Sequence, residues 1–321
     1  MTQTFYPLTF YPLLKERIWG GTKLKTYLNK PITSDSTGES WEISTVPQDV
    51  SVVKDGMFEG KNLNELIDLY PEEILGTTVF ARFGKQFPLL FKYLDAREDL
   101  SIQLHPNDAL AKARHNSFGK TEMWYVMQAD ANARLIVGFQ KDSSREEYVQ
   151  HLENKKLLSL LNEVPVKKGD VFFLETGTIH AIGAGIVIAE IQQTSDVTYR
   201  IYDWDRVDAN GNERELHTEL ALDAINYQTT LAKKEYKATE NESTSLVECP
   251  YFKTHIIPLN GEMMIHKNNE AFSVLMCTEG SFELFLNDNK YRYETGDTVL
   301  LPAILPSFVL KGTATLLEIT V

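Results

Sequence analysis

The sequence predicts a mainly β protein made of two related units with a few inserted helices, and three observations support that class. Most of its 321 residues fall into short apolar or alternating runs bounded by turn residues. The run GDVFFLETGTIH at 169–180 can be laid over GDTVLLPAILPS at 296–307, an offset of 127 residues. Upstream, Trp124-Tyr125-Val126-Met127 resembles Ser273-Val274-Leu275-Met276 at an offset of 149, and the difference of 22 is close to the length of a helical stretch from about 141 to 162. Two copies of one β-unit, the first carrying an inserted helix, account for both offsets.

Taken in order, Leu8, Phe10 and Pro12 lead into Trp19-Gly20-Gly21, where paired glycines suit a tight turn. Residues 38–44 alternate as a half-buried strand does, with Trp41 and Ile43 expected on one face and Glu42 and Ser44 on the other. Residues 62–70 space their apolar side chains three and four apart behind a capping asparagine, which predicts a helix ending before Pro71. Residues 87–95 and 100–105 read as successive strands, the second closed by Pro106, and 106–114 as a short helix. Strands are expected at 122–127 and 133–139. The stretch 143–161 opens with a serine cap and acidic residues and offers Tyr148, Leu152, Leu157, Leu158 and Leu161 for an inner face, so it is expected to be helical. Strands return at 170–174 and 186–192, and 215–225 reads as a helix. Residues 229–245 are polar and rich in lysine and glutamate, with little periodicity. The expected organisation is therefore a first unit at 1–228, a connector at 229–246 and a smaller second unit at 247–321.

Composition narrows the partners. Hydrophobic residues at 43% and charged residues at 24% are ordinary for a chain that buries a core. A formal charge of -13 argues against nucleic acid or an anionic membrane as the main partner, since both require a basic surface. The only cysteines, Cys249 and Cys277, show no pairing pattern. The N-terminus has no basic stretch followed by an apolar run, and a cytoplasmic protein is expected.

Four residues carry metal-ligand chemistry. Gln103 and His105, two apart, leave the same face of an extended strand, while Glu122 and His180 come from segments that have to lie alongside. Two nitrogen and two oxygen donors suit zinc with positions left open, and one carboxylate beside a neutral amide leaves the ion a net positive charge and a useful Lewis acid. The remaining histidines, His115, His151, His217, His255 and His266, read as structural or solvent-facing. Lys120 shares the strand face of Glu122, and Glu190, Asp196 and Arg200 follow in one run. In the overlay, the second copy has Ala271 at the place of Glu122 and Ser307 at the place of His180, so only the first unit is expected to hold the metal.

Both copies resemble the second motif of the cupin superfamily, a glycine, five residues, usually proline, one residue, glycine, two residues and histidine. Glu175 stands at the proline in the first copy, and the second keeps Pro302 but loses the glycine and histidine. The resemblance implies two cupin-like jelly-roll units.

A more specific likeness rests on Trp19-Gly20-Gly21, Ser101-Ile102-Gln103-Leu104-His105-Pro106, Lys120-Thr121-Glu122-Met123-Trp124-Tyr125, Gly177-Thr178-Ile179-His180-Ala181, and Ser195-Asp196 followed by Arg200. In that order they resemble the type I mannose-6-phosphate isomerases, particularly the short bacterial form. The resemblance implies Gln103, His105, Glu122 and His180 as ligands of one zinc ion, and Arg200 as a catalytic residue near the sugar. It brings Lys120, Glu190 and Asp196 into the pocket, with Lys120 and Glu190 as alternative proton-transfer groups. It also matches Ser101 and Arg206 to phosphate positions, although longer relatives often carry lysine where this chain has Arg206. The implied substrate is a phosphorylated sugar, and the implied reaction interconverts mannose 6-phosphate and fructose 6-phosphate through a cis-enediol. Two other readings use the same residues. An iron-dependent cupin oxygenase would use two histidines and a carboxylate, and a non-catalytic sugar-binding cupin would use the fold alone.

Overall fold

Two sheets enclose the interior of the first unit in the computed structural model, which describes residues 4–207 and 211–321. One sheet has seven strands in the order Leu13–Gly21, Thr37–Ile43, Leu89–Ala96, Ile186–Gln193, Glu122–Ala129, Val171–Leu174 and Lys233–Lys234. The other has five, in the order Tyr199–Tyr202, Ile102–Leu104, His180–Ile182, Arg134–Phe139 and Leu161–Pro165. Between them lies an apolar cluster that includes Leu94, Trp124, Val126, Leu135, Val137, Ile182 and Ile188. The second unit is built on long antiparallel strands, Lys253–Ile265, Ser273–Leu286 and Phe308–Thr320, all paired through the last. The mainly β class expected from the short alternating runs is the one found.

Strand alternation decides what touches what. In the second unit, Val274, Met276, Leu317 and Ile319 belong to the large core shared with the first unit, while Leu275, Cys277 and Leu316 fill its own interior. Helices Leu63–Leu69, Pro71–Leu75 and Thr77–Phe83 add Leu66, Ile74 and Val79 to the shared core. Asn62 and Glu65 form a reciprocal cap on the first of these, as a capping asparagine predicts. No helix among the described residues is long and apolar enough to cross a membrane.

Several local expectations are corrected. Residues 37–43 are buried throughout rather than half-buried, because the strand lies inside the seven-stranded sheet. Trp41 pairs with Lys92 and Ile43 with Phe91, so a bulge at Glu42 turns Trp41 and Ile43 to opposite faces. The helix expected over 143–161 stops at Glu153; a single 3₁₀ turn, Leu157–Leu160, follows, Leu161 starts a strand, and Leu158 is exposed. Helix over 215–225 is limited to Thr218–Ala221. The stretch 229–246 is tied at both ends, since Lys233–Lys234 pairs with Val171–Leu174 and Thr244–Glu248 pairs with the second unit.

Pairing registers also correct the overlay of the two units. Leu174 pairs with Glu122, and Leu301, its counterpart at the 127-residue offset, pairs with Ser273. The counterpart of Glu122 is therefore Ser273 and not Ala271, an offset of 151 rather than 149. By the same registers Glu190 faces Trp124 and Glu318 faces Leu275, so the second unit retains a glutamate in the position of Glu190. It still lacks the carboxylate and the histidine of the first.

Candidate metal centre and active site

The charged residues of the first unit sit where alternation turns them inward. On Leu89–Ala96, Phe91 and Tyr93 face the shared core, and Lys92 and Leu94 face the interior cleft. On Ile186–Gln193, Ala189 and Ile191 face the core and Glu190 the cleft. In the five-stranded sheet, Ile102, Leu104, Tyr199, Ile201, Ile179 and Ala181 pack outward, which leaves Gln103, Arg200 and His180 lining the cleft. Apolar neighbours on both sides thus fix each polar side chain in an orientation that sequence spacing alone could only suggest.

His105, Glu122 and His180 come together where His180 lines this cleft, each offering a ligand atom within 4.8 Å of the others. Glu122 Oε2 lies 3.5 Å from His105 Nε2, and Glu122 Oε1 lies 3.5 Å from His180 Nε2. His105 Nδ1 donates to Val197 O at 2.9 Å and His180 Nδ1 to Thr178 O at 2.8 Å, an arrangement that turns each Nε2 lone pair toward the centre. Burial, reinforced by Lys120, holds His105 well below its ordinary range, and burial lowers His180 to about 4, so both imidazoles are neutral. Glu122 Oε1 and Nε2 of His180 are buried without a hydrogen bond, and Glu122 Oε2 has the Lys120 ammonium at 3.0 Å. Such orphaned atoms are costly unless something else coordinates them, and two neutral imidazoles with a carboxylate are a donor set for a divalent transition metal. Gln103 is the cross-strand partner of His180 and lines the cleft beside it, where its amide oxygen can supply a fourth donor.

Two backbone details hold the ligand segments in place. Gly177 has φ +84°, and a Cβ there would stand 2.4 Å from Ala224 O, so only glycine fits the turn that presents His180. Its N–H donates to His105 O at 2.9 Å, which ties one ligand segment to the other.

Beside the histidines runs a buried series of alternating charge. Lys120 Nζ is 3.0 Å from Glu122 Oε2 and 4.0 Å from Glu190 Oε1, and Lys92 Nζ is 3.0 Å from Glu190 Oε1. Trp124 Nε1 donates to Glu190 Oε2 at 2.9 Å. Burial would raise Glu190, but Lys92 and Lys120 outweigh it and keep the carboxylate low. Burial would lower Lys120, but Glu122 and Glu190 outweigh it and keep the ammonium charged.

The cleft encloses about 690 Å³. Ser101, Asp196 and Arg200 line it, together with Lys120 and Glu190. Arg200 Nε donates to Ser101 Oγ at 3.3 Å and Nη1 to Glu215 O at 2.9 Å. Arg206 is held elsewhere, with Nη2 donating to Asp203 Oδ1 at 2.7 Å, and does not line the cleft. Arg214, braced by Asp203 through Nε at 2.7 Å, lines it instead.

Sequence reading missed Lys92, Glu39, Trp41 and Arg214 as lining residues. A signal existed for Lys92, the only charge between Phe87 and Leu94 in an otherwise apolar run. None existed for Arg214, whose place depends on the loop after Asp203.

The chain is similar to known proteins over nearly its whole length. The family model described as phosphomannose isomerase type I, catalytic domain, matches residues 8–133, and the one described as mannose-6-phosphate isomerase, cupin domain, matches residues 242–321. The chain is 38% identical over 315 residues to mannose-6-phosphate isomerase ManA of Bacillus subtilis, covering 97% of this chain and 98% of the relative. It is 36% identical over 310 residues to a mannose-6-phosphate isomerase of Streptococcus mutans, covering 95% of each. The crystal structure of the mannose 6-phosphate isomerase from Bacillus subtilis matches with a TM-score of 0.90 at 36% identity, covering 99% of this chain and 100% of that one. A phosphomannose isomerase from Salmonella typhimurium, at 17% identity and a TM-score of 0.81, shares the fold.

Proposed function

Since the chain belongs to the type I phosphomannose isomerases, we propose that it interconverts mannose 6-phosphate and fructose 6-phosphate with one zinc ion per chain and through a cis-enediol intermediate. The observation that carries the metal is the pair of orphaned buried atoms, Glu122 Oε1 and His180 Nε2, facing one another beside His105 in a cluster of three ligand-bearing side chains. His105, Glu122, His180 and Gln103 would hold the ion. When bound, it supplies Lewis acidity toward the sugar oxygens that carry developing negative charge.

The chain's own residues account for the rest. Isomerisation takes the proton from C2 of the open-chain aldose and returns it to C1, while a proton moves between the two oxygens. Glu190, kept anionic by Lys92 and Lys120, can accept a proton in the cleft, and the Lys120 ammonium can donate one. Arg200 stays charged and acts as an orienting and electrostatic group, because a guanidinium rarely gives up its proton. Ser101 and Arg214 offer donors for the phosphate, and Asp196 offers an acceptor for a sugar hydroxyl. The second unit, without metal ligands, supports the first through their shared core. The two cysteines, both free thiols, fit a reducing cytoplasm.

A coupled assay for fructose 6-phosphate formed from mannose 6-phosphate tests the reading, run on purified, chelated and zinc-restored protein with metal content measured alongside. Activity should vanish with the metal and return with about one zinc per chain. Activity that survives complete metal removal would overturn the metal role, and no activity after restoration would favour a binding protein.

A further inference from the structure

The loop that carries Lys120 into the active site is braced from outside by a network that the chemistry above does not use. Asp108, in the first turn of helix Asp108–His115, accepts three hydrogen bonds on its carboxylate. Gly119 N donates at 2.8 Å, Gln193 Nε2 at 3.0 Å and Tyr251 Oη at 2.7 Å. Gln193 is a buried side chain whose Oε1 accepts from Thr121 N at 2.9 Å, and its own N–H donates to Thr121 O at 3.2 Å. Lys120 N donates to Pro106 O at 3.3 Å. The three consecutive residues before Glu122 are therefore each fixed through the backbone.

The approach is close enough to dictate sequence. A Cβ on Gly119 would meet Asp108 N at 2.6 Å and Asp108 Oδ1 at 3.0 Å, so the loop can reach the carboxylate only with glycine at that place. The donors converge from three places in the chain: Gly119 from the active-site loop, Gln193 from the strand of Glu190, and Tyr251 from the second unit, 143 residues from Asp108. Burial would raise the Asp108 carboxyl, but the bonds from Tyr251, Gly119 and Gln193 outweigh it and keep the group ionised as a three-fold acceptor.

We propose that Asp108 is a positioning residue for the isomerisation, holding the 119–121 loop so that Lys120 and Glu122 keep their places, and that Tyr251 lets the second unit set that position. The inference rests on the isomerase reading given above. Neither residue lines the cleft or touches the metal ligands, so the effect passes through Gly119, Gln193 and Thr121. A displaced Lys120 leaves substrate binding to the other lining residues largely intact and penalises the proton-transfer step. Misplacement of about an ångström can cost roughly 100-fold in rate.

The test compares wild type, Asp108→Ala, Asp108→Asn and Tyr251→Phe, each zinc-loaded to equal metal content. Turnover and KM are measured together with amide hydrogen exchange at residues 119–121. Asp108→Ala should lower kcat roughly 10- to 100-fold with KM changed less than about threefold. Tyr251→Phe should lower kcat by a smaller factor, and both should speed exchange at Gly119 and Thr121. Asp108→Asn keeps an acceptor for Gly119 and should recover most of the turnover. Wild-type kcat in a folded Asp108→Ala protein, or in Tyr251→Phe if the alanine variant does not fold, overturns the proposal, as does unchanged exchange at the two amides. An inactive wild type with slow exchange that the variants accelerate would overturn the isomerase reading and leave the brace standing.

Discussion

Lys92 Nζ and Glu190 Oε1 stand 3.0 Å apart with 7% and 4% of their side chains exposed, a buried ion pair in the cleft wall on neighbouring strands of the seven-stranded sheet. A charge buried this deeply persists because its partner is there. Lys92 is also the leading counter-charge for Glu39, so one ammonium serves two carboxylates.

Removal of Lys92 should therefore be costly. Lys92→Met leaves Glu190 with only the more distant Lys120 and Glu39 with only Arg17 as counter-charge, and is expected to destabilise the protein by about 3–5 kcal/mol. Adding Glu190→Gln should restore part of the loss. The measurement is urea unfolding of the two single variants and the double variant; strictly additive effects would show that the pair is not coupled.

Glu39 predicts a pH dependence. Burial, the largest single influence, would raise its carboxyl, but Lys92, Arg17 and the hydrogen bonds from Arg17 and Trp41 together lower it from 4.5 to about 2. A depressed folded value means that the stabilisation is complete above about pH 4.5 and is lost as pH falls toward 2. By linkage it amounts to about 3 kcal/mol. Glu39→Gln should be less stable at neutral pH and show a flatter loss of stability over that acid window. Equal acid slopes for the two proteins would contradict it.

Much of this site could be read from the sequence, for physical reasons that also explain the rest. His105, Glu122 and His180 stood out because the types and spacing of metal donors are restricted and because the second unit lacks them. The family resemblance matched Arg206 to a phosphate position, yet Asp203 holds it outside the cleft lining while Arg214 enters, a choice made by a loop whose path no local periodicity records. The bulge at Glu42 and the register that pairs Ser273 with Leu301 were invisible for a similar reason: each depends on the partner strand. Helices at 71–75 and 77–83 escaped notice because Pro71 reads equally as a stop and as a first helical position.

Metal removal should be felt by the fold as well as by turnover. Glu122 Oε1 and His180 Nε2, which face one another without a hydrogen bond, gain a shared partner when a metal ion is bound. A ligand that binds only the folded state stabilises by about 4 kcal/mol at a thousandfold excess over its dissociation constant. Chelation should lower the melting temperature by several degrees, zinc should restore it, and His180→Ala should show neither response. A melting temperature of zinc-loaded wild type that is indifferent to chelator would count against these ligands.

Arg200 should divide turnover from binding. Its guanidinium is half-buried and fixed by Ser101 and Glu215, so it enters the reaction already oriented. Preorganised donors of this kind act where charge develops, and removing one typically costs roughly 10²- to 10³-fold in kcat. Arg200→Ala should fall in that range with a much smaller rise in KM. A KM effect that matches or exceeds the kcat effect would reassign Arg200 to ground-state phosphate binding.

The contact between units offers a last test, because it separates support from mere attachment. Phe87 in the first unit and Phe272 in the second stack with ring centroids 4.8 Å apart, and both are buried. Around them, Met123 and Ile191 of the first unit share one cluster with Val274, Met276 and Leu317 of the second. Phe272→Ala opens a cavity inside this joint core and should cost about 3–5 kcal/mol. Because the two units share that core, the variant should unfold in one transition that both units follow. The probes are Trp124 fluorescence, which reports the first unit, and backbone amide exchange in 273–286, which reports the second. A loss confined to the second unit, with Trp124 unfolding at the wild-type midpoint, would mean that the units fold independently and that the first needs no support.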